Sequence, residues 1–153
     1  MSFRIATADD LPALIRMLAD DAIGGAREQV SPDALDRYRL AFEAIDRDPN
    51  HLLIVAVDGD DAPIGVLQLS LLPCLTHQGS WRAQIEGVRV ESTRRGSGLG
   101  RAMIGHAIDI ARTKGCTMVQ LTTEKRRDGA IRFYTNLGFK ASHEGMKLSL
   151  TSC

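Results

Sequence analysis

The sequence lacks an excess of charge of either sign. Nineteen Lys and Arg residues are matched by nineteen Asp and Glu in 153 residues. Nucleic-acid binders usually carry a basic surplus, so that class is disfavoured. The short basic clusters Arg94-Arg95 and Lys125-Arg126-Arg127 fit a solvated face. Cysteine is scarce: Cys74, Cys116 and Cys153 are an odd number without CxxC spacing. That excludes a disulfide framework or a zinc site and points to free thiols in a reducing compartment. No apolar run approaches the length of a membrane span. The opening MSFRIATADD turns acidic before an apolar segment could form a signal peptide. Repeats, linkers and low-complexity segments are also missing. The expectation is a cytoplasmic protein with no nucleic acid, membrane or metal as partner.

What is present suits one domain over residues 1–153. Hydrophobic residues make up 44% and charged residues 25%, enough apolar material for a core without staples. FRIAT reads as a strand. A helix follows, with Leu11, Leu14, Ile15, Leu18 and Ala22 at helical spacing, Thr7 or Asp9 as cap and Gly24-Gly25 as stop. Ser31-Pro32 opens a second helix with Leu35, Tyr38, Phe42 and Ile45 as its apolar stripe. HLLIVAV and IGVLQLSLL are strands, and Asp58-Gly59 between them predicts an antiparallel hairpin.

WRAQIEGVRV is a further strand, LGRAMIGHAIDIARTKG a helix, CTMVQLTT a strand and DGAIRFYTNLG a short helix stopped by Gly138. The tail FKASHEGMKLSL reads as two short strands around His143-Glu144-Gly145. The order is β-α-α-β-β-β-α-β-α-β-β, an α/β (α+β) arrangement of one mixed sheet with helices on both faces. The unit from WRAQIEGVRV through the helix to CTMVQLTT predicts a parallel strand pair with a right-handed crossover.

Arg95-Gly96-Ser97-Gly98-Leu99-Gly100 joins a strand to a helix N-terminus, where backbone N–H groups lack intrahelical partners and carry partial positive charge. Removing side chains there lets an anion reach the backbone. Gly100-Arg101-Ala102 lacks the Lys-Ser/Thr of a nucleotide P-loop. Gly96, Gly98 and Gly100 give GxGxG rather than the dinucleotide GxGxxG.

The V-x-V strand followed by R-G-x-G-L-G resembles the acyl-CoA loop of the GNAT superfamily of N-acetyltransferases. Arg95, Gly98 and Gly100 fit its [QR]-x-x-G-x-[GA] pattern. Ala130 to Phe139 is similar to the family's A-x-x-F-Y-x-x-x-G-F segment. The resemblance extends to the element order along the whole chain and is greatest for small bacterial members of unassigned substrate. It implies a mostly antiparallel sheet with a splayed parallel pair, acetyl-CoA as acetyl donor, a primary amine as acceptor and, in many members, a homodimer.

On the implied site, Arg95, Gly96, Ser97, Gly98, Leu99, Gly100 and Arg101 hold the diphosphate. Val88, Arg89 and Val90 pair with the pantetheine amides like an added strand, and Tyr134 lies near the thiol. Lys125, Arg126 and Arg127 either approach the adenosine end or form a solvated face. Many members carry Asn three residues before the Ala of the second motif. Here that residue is Arg127, so the asparagine contact does not carry over.

Attack by a lysine-like amine requires deprotonation, at about 4–5 kcal/mol at pH 7. A base is therefore useful. Glu86, sharing a strand face with Gln84, Val88 and Val90 by simple alternation, is the first candidate, as base or as substrate-orienting group. His143 and Glu144 are rivals. Tyr134 matches the family's proton donor to the departing thiolate, with a backbone N–H such as that of Val88 stabilising the oxygen of a tetrahedral intermediate. Arg27, Glu28, Gln84, His143 and Trp81-Arg82 are candidates to line the acceptor pocket. The acceptor stays open between a small-molecule amine and a protein or peptide amine. A non-catalytic acyl-CoA-binding regulatory module is the alternative class.

Overall fold

The computed structural model describes residues 1–23, 25, 28 and 31–151. Five strands form one sheet in the order β1 (Ser2–Ile5), β2 (His51–Val57), β3 (Pro63–Pro73), β4 (Trp81–Val90) and β5 (Cys116–Gln120). The first three pairings are antiparallel. The β4–β5 pairing is parallel, as the strand–helix–strand unit requires. The helices are α1 (Leu11–Ala19), α2 (Pro32–Arg47), a left-handed turn α3 (Thr76–Gly79), α4 (Leu99–Thr113) and α5 (Asp128–Asn136).

Period-two alternation divides the core between the two sheet faces. Ile54 and Ala56 of β2, and Leu67, Leu69 and Leu71 of β3, join Leu99, Met103, Ile104 and Ala107 of α4. Val55, Val57 and Val66 face Leu14, Met17 and Phe42 of α1 and α2. Burial on both faces is why the central strands read as continuous apolar runs. Ser31 caps α2, its hydroxyl accepting from the Ala34 N–H at 3.2 Å. Asp58 shapes the β2–β3 turn by accepting from the N–H groups of Asp60 and Ala62 at 2.9 and 3.0 Å.

Four expectations need correction. Helix α1 stops at Ala19 rather than running to the glycines. Asp20 and Asp21 follow, and carboxylates oppose the negative end of the helix dipole; both are drawn instead into ion pairs. On α2, Phe42 is buried as expected, but Ala34 is buried while Leu35 is 42% exposed, so Ala34 rather than Leu35 opens the dry stripe.

On β4, Glu86 does not share a face with Val88 and Val90. Glu86 pairs with Gln68, whereas Arg89 pairs with Val66, so three steps along β4 oppose two along β3. The bulge is centred on Gly87 (φ +62), a left-handed conformation that glycine adopts without a Cβ penalty. Val88 and Val90 turn toward the α4 core, and Glu86 and Arg89 come to the opposite face. Lastly, among the described residues no strand follows β5. The tail's apolar alternation is present, but it pairs with no strand of the sheet, and an unpaired strand is not stable alone.

Candidate active site

The β4–β5 ladder runs from Trp81↔Cys116 to Gln84↔Gln120 and goes no further. Beyond it β4 continues to Val90 with no strand on that side, so the parallel pair is splayed. Two carbonyls along this open stretch are occupied by arginine side chains: Arg89 donates to the Val88 carbonyl at 2.8 Å and Arg95 to the Val90 carbonyl at 3.3 Å. They satisfy acceptors that a neighbouring strand would otherwise fill, and an extended amide-bearing ligand entering the splay must displace them.

The loop after β4 is built for a backbone approach. Gly96 and Gly98 have φ of +77 and +86, and a Cβ at either would meet nothing within 4 Å. Glycine is needed there for conformation, and the space above it is open. Gly98 caps α4, whose first i→i−4 bond is Ala102 N–H to the Gly98 carbonyl at 3.1 Å. The N–H groups of Leu99, Gly100 and Arg101 precede that bond and are free for an anion. Gly100 serves differently: a Cβ there would lie 3.5 Å from the Phe133 ring. The two sequence motifs therefore meet. Ser97 Oγ is turned to the Arg94 carbonyl at 2.6 Å. Arg95 is tied to Asp20 through the backbone carbonyl and carboxylate at 2.9 and 3.1 Å.

An ion-pair cluster that the sequence reading missed spans the splay. The Asp21 carboxylate, 9% exposed, accepts from Arg89 of β4 at 2.9 Å and from Arg127, just before α5, at 2.6 Å. Arg127 beside it, helped by the Ile23 N–H and the Arg89 charge, holds the Asp21 carboxyl down at about 2. Two cations share one anion, and among the described residues Arg89 Nε is a buried donor without a partner. The local balance is positive. Residues 21, 89 and 127 are too far apart in sequence for any spacing rule to join them; the one usable signal was Arg127 standing where the family carries Asn.

Tyr134 lies beside this cluster. Burial raises its phenol above the ordinary value, while the charges of Arg89 and Arg127 pull the other way. Its ring packs edge-on against Phe133 and Phe139 at 5.1 and 5.7 Å between centroids.

On the face shared with Arg89, a polar chain runs along β4 and β5. Arg82 donates to Gln120 at 3.1 Å, Gln120 to Gln84 at 2.6 Å, and Gln84 to Glu86 at 3.2 Å. Glu86 itself is exposed. Glu28 hydrogen-bonds the Tyr38 hydroxyl on α2. Arg27 lies outside the described residues. His143 is not brought to these groups: it is exposed in the tail, its Nδ1 2.7 Å from the Ser142 hydroxyl. Trp81 is 37% exposed at the far end of β4. A cavity of about 100 Å³ between α2 and β2, lined by Phe42, Ile45, His51 and Leu53 among others, contains none of these residues. Among the described residues no helix is long and apolar enough to cross a membrane, and no three His, Cys, Asp or Glu cluster as metal ligands would.

The acetyltransferase (GNAT) family matches residues 12–139. A crystal structure described as a transcriptional regulator from Bacillus halodurans C-125 is 48% identical. It covers 97% of this chain and 99% of that one, at a TM-score of 0.93. Glucosamine 6-phosphate N-acetyltransferase of Trypanosoma brucei brucei is 37% identical over 57% of this chain, and the match spans only 57% of that enzyme. Aminoalkylphosphonate N-acetyltransferase of Salmonella typhimurium is 31% identical over 69% of this chain and 68% of its own. With the splayed parallel pair, the open glycine loop and the Phe133-Tyr134 helix in place, the chain belongs to the GNAT family of acetyltransferases.

Proposed function

We propose that this chain transfers an acetyl group from acetyl-CoA to the primary amine of a small molecule that also carries an anionic group. The observation that carries the reading is the unpaired edge Val88–Val90 leading into the loop where Gly96 and Gly98 leave the backbone open at the start of α4, with Tyr134 within reach of the charges of Arg89 and Arg127. Acetyl-CoA supplies an activated acyl carbon and a thiolate leaving group.

The protein's part is positioning and proton work. The N–H groups of Leu99, Gly100 and Arg101 hold the diphosphate. The Val88–Val90 backbone takes the pantetheine amides once Arg89 and Arg95 release its carbonyls. Tyr134, kept protonated by burial, donates its proton to the sulfur as the carbon–sulfur bond breaks. Glu86, oriented by Gln84, receives the proton lost by the attacking amine, directly or through water. Arg89 and Arg127 supply the positive field for the acceptor's anion. Two of the similar enzymes are named for amines bearing a phosphate or phosphonate, which supports that acceptor class.

The test is CoA release, corrected for hydrolysis, across aminoalkylphosphonates, amino-sugar phosphates, their uncharged counterparts, polyamines, aminoglycosides and peptides. Phosphorylated amines should exceed their uncharged counterparts by about tenfold or more in kcat/KM, and Arg127→Ala should erase the difference. No release with any amine would overturn the reading. The Bacillus halodurans relative's description as a transcriptional regulator favours a second one: a module that binds acyl-CoA without turnover. Saturable cofactor binding with no acceptor in the panel would select it. Turnover confined to the peptides would instead make the acceptor a protein amine.

A further inference from the structure

The side chains of Arg82, Gln120, Gln84 and Glu86 are joined end to end at the fork between β4 and β5. Arg82 donates to Gln120 Oε1 at 3.1 Å, Gln120 Nε2 to Gln84 Oε1 at 2.6 Å, and Gln84 Nε2 to Glu86 Oε1 at 3.2 Å. Arg82, Gln84 and Glu86 alternate along one face of β4, opposite Ala83 and Ile85, which are buried in the α4 core. Gln120 reaches them from β5, and its pairing with Gln84 is the last rung of the ladder before the strands part. Glu86 therefore stands inside the splay, while Arg82 and Gln120 lie at or behind the fork. The far end is pinned as well: Arg82 Nε donates to Cys74 Sγ at 3.0 Å. Arg82, Gln84 and Gln120 are half-buried, and Glu86 is exposed.

The direction of this chain of bonds is set at both ends. A guanidinium has only donors, and an ionised carboxylate has only acceptors. Each glutamine between them must accept on the Arg82 side and donate on the Glu86 side. Turning either amide over would set oxygen against oxygen. We propose that Arg82 and Gln120 are positioning residues for Glu86: neither touches its carboxylate, and together they keep the NH2 group of Gln84, rather than its carbonyl, aimed at it. The proposal rests on the reading of Glu86 as the group that receives the amine's proton. Without Arg82 the Gln120 carbonyl loses its donor, and the two amides can turn over together. Gln84 then presents a carbonyl oxygen to Glu86, and the repelled carboxylate loses its fixed orientation. An amide neither gains nor loses a proton near neutral pH, so the chain orients Glu86 and carries no proton. The proton that Glu86 takes up leaves through its exposed side.

The test is steady-state kinetics with acetyl-CoA and aminomethylphosphonate, or the fastest amine of the panel. Arg82→Leu removes the donor at the head of the chain. Gln120→Glu is isosteric and still accepts from Arg82, but it cannot donate to Gln84. Each should lower kcat about tenfold and leave the KM for acetyl-CoA within about twofold. Arg82→Lys, which keeps a donor, should recover most of the loss. In a Glu86→Gln background neither Arg82→Leu nor Gln120→Glu should lower kcat further, because the group they position is gone. Nuclear magnetic resonance of the side-chain amides gives a readout that needs no turnover. Arg82→Leu should move the Gln84 signals, and Glu86→Ala should move those of Gln120, with backbone signals elsewhere in the sheet unchanged. Full activity in Gln120→Glu overturns the proposal while acetyl transfer stands. So does a loss that persists in the Glu86→Gln background, or a Gln84 amide that Arg82→Leu leaves unmoved. No turnover by the wild type overturns acetyl transfer itself, and the proposal with it.

Discussion

The two ends of the sheet are built to different standards of burial. Through most of β2 and β3, between α1 and α4, the strands are dry on both faces; Val55, Leu67 and Leu69 are fully buried. From β5 through α5 to the tail none of the described residues is, yet this is where Phe133, Tyr134 and Arg127 approach the glycine loop and the splay. The first region is a scaffold and the second a partly open surface. The proposed site falls in the second, as expected when a site needs room to open.

That contrast can be broken most forcefully in the scaffold. Leu67→Ala should cost about 2–5 kcal/mol of unfolding free energy. Met118→Ala should stay within about 0.5 kcal/mol for the isolated chain. Denaturant titration of both reads the difference, and equal losses would erase the distinction. Next in size is Tyr134→Phe, which leaves packing intact and should lower kcat about 100-fold with little change in the KM for acetyl-CoA. Because burial raises the phenol, kcat should not fall with rising pH until above the ordinary tyrosine range.

The smallest effect lies at the seam between the regions. The folded Asp21 carboxyl sits at about 2, below its unfolded value near 4. Its stabilisation is therefore complete above pH 4 and is lost as pH falls toward 2. Asp21→Asn should flatten that part of an acid-unfolding profile, measured by circular dichroism.

Much of the scaffold was legible because local rules agree there. The Ser31-Pro32 helix start, the Asp58 turn and the limits of WRAQIEGVRV are set by neighbours in sequence and survive folding unchanged. The glycine loop was legible for the same reason: Gly96 and Gly98 are dictated by backbone conformation. What escaped depends on pairing at a distance. The Gly87 bulge shows only when β4 is set against β3, and it moves Glu86 to the face of Arg89. The Asp21 cluster joins three elements that the chain visits far apart. The tail carries a strand's period and no strand, since period describes a side-chain pattern and says nothing of which edge will receive it.

The proposed site stands or falls on cofactor binding. Titration calorimetry of acetyl-CoA into wild type and Gly98→Val measures this directly. Wild type should bind one equivalent saturably. The variant, with a branched side chain forced to φ near +86 and set over the cradle, should bind at least tenfold more weakly while its α4 and sheet remain folded. No binding by wild type at millimolar acetyl-CoA, or equal binding by both proteins, would contradict the account.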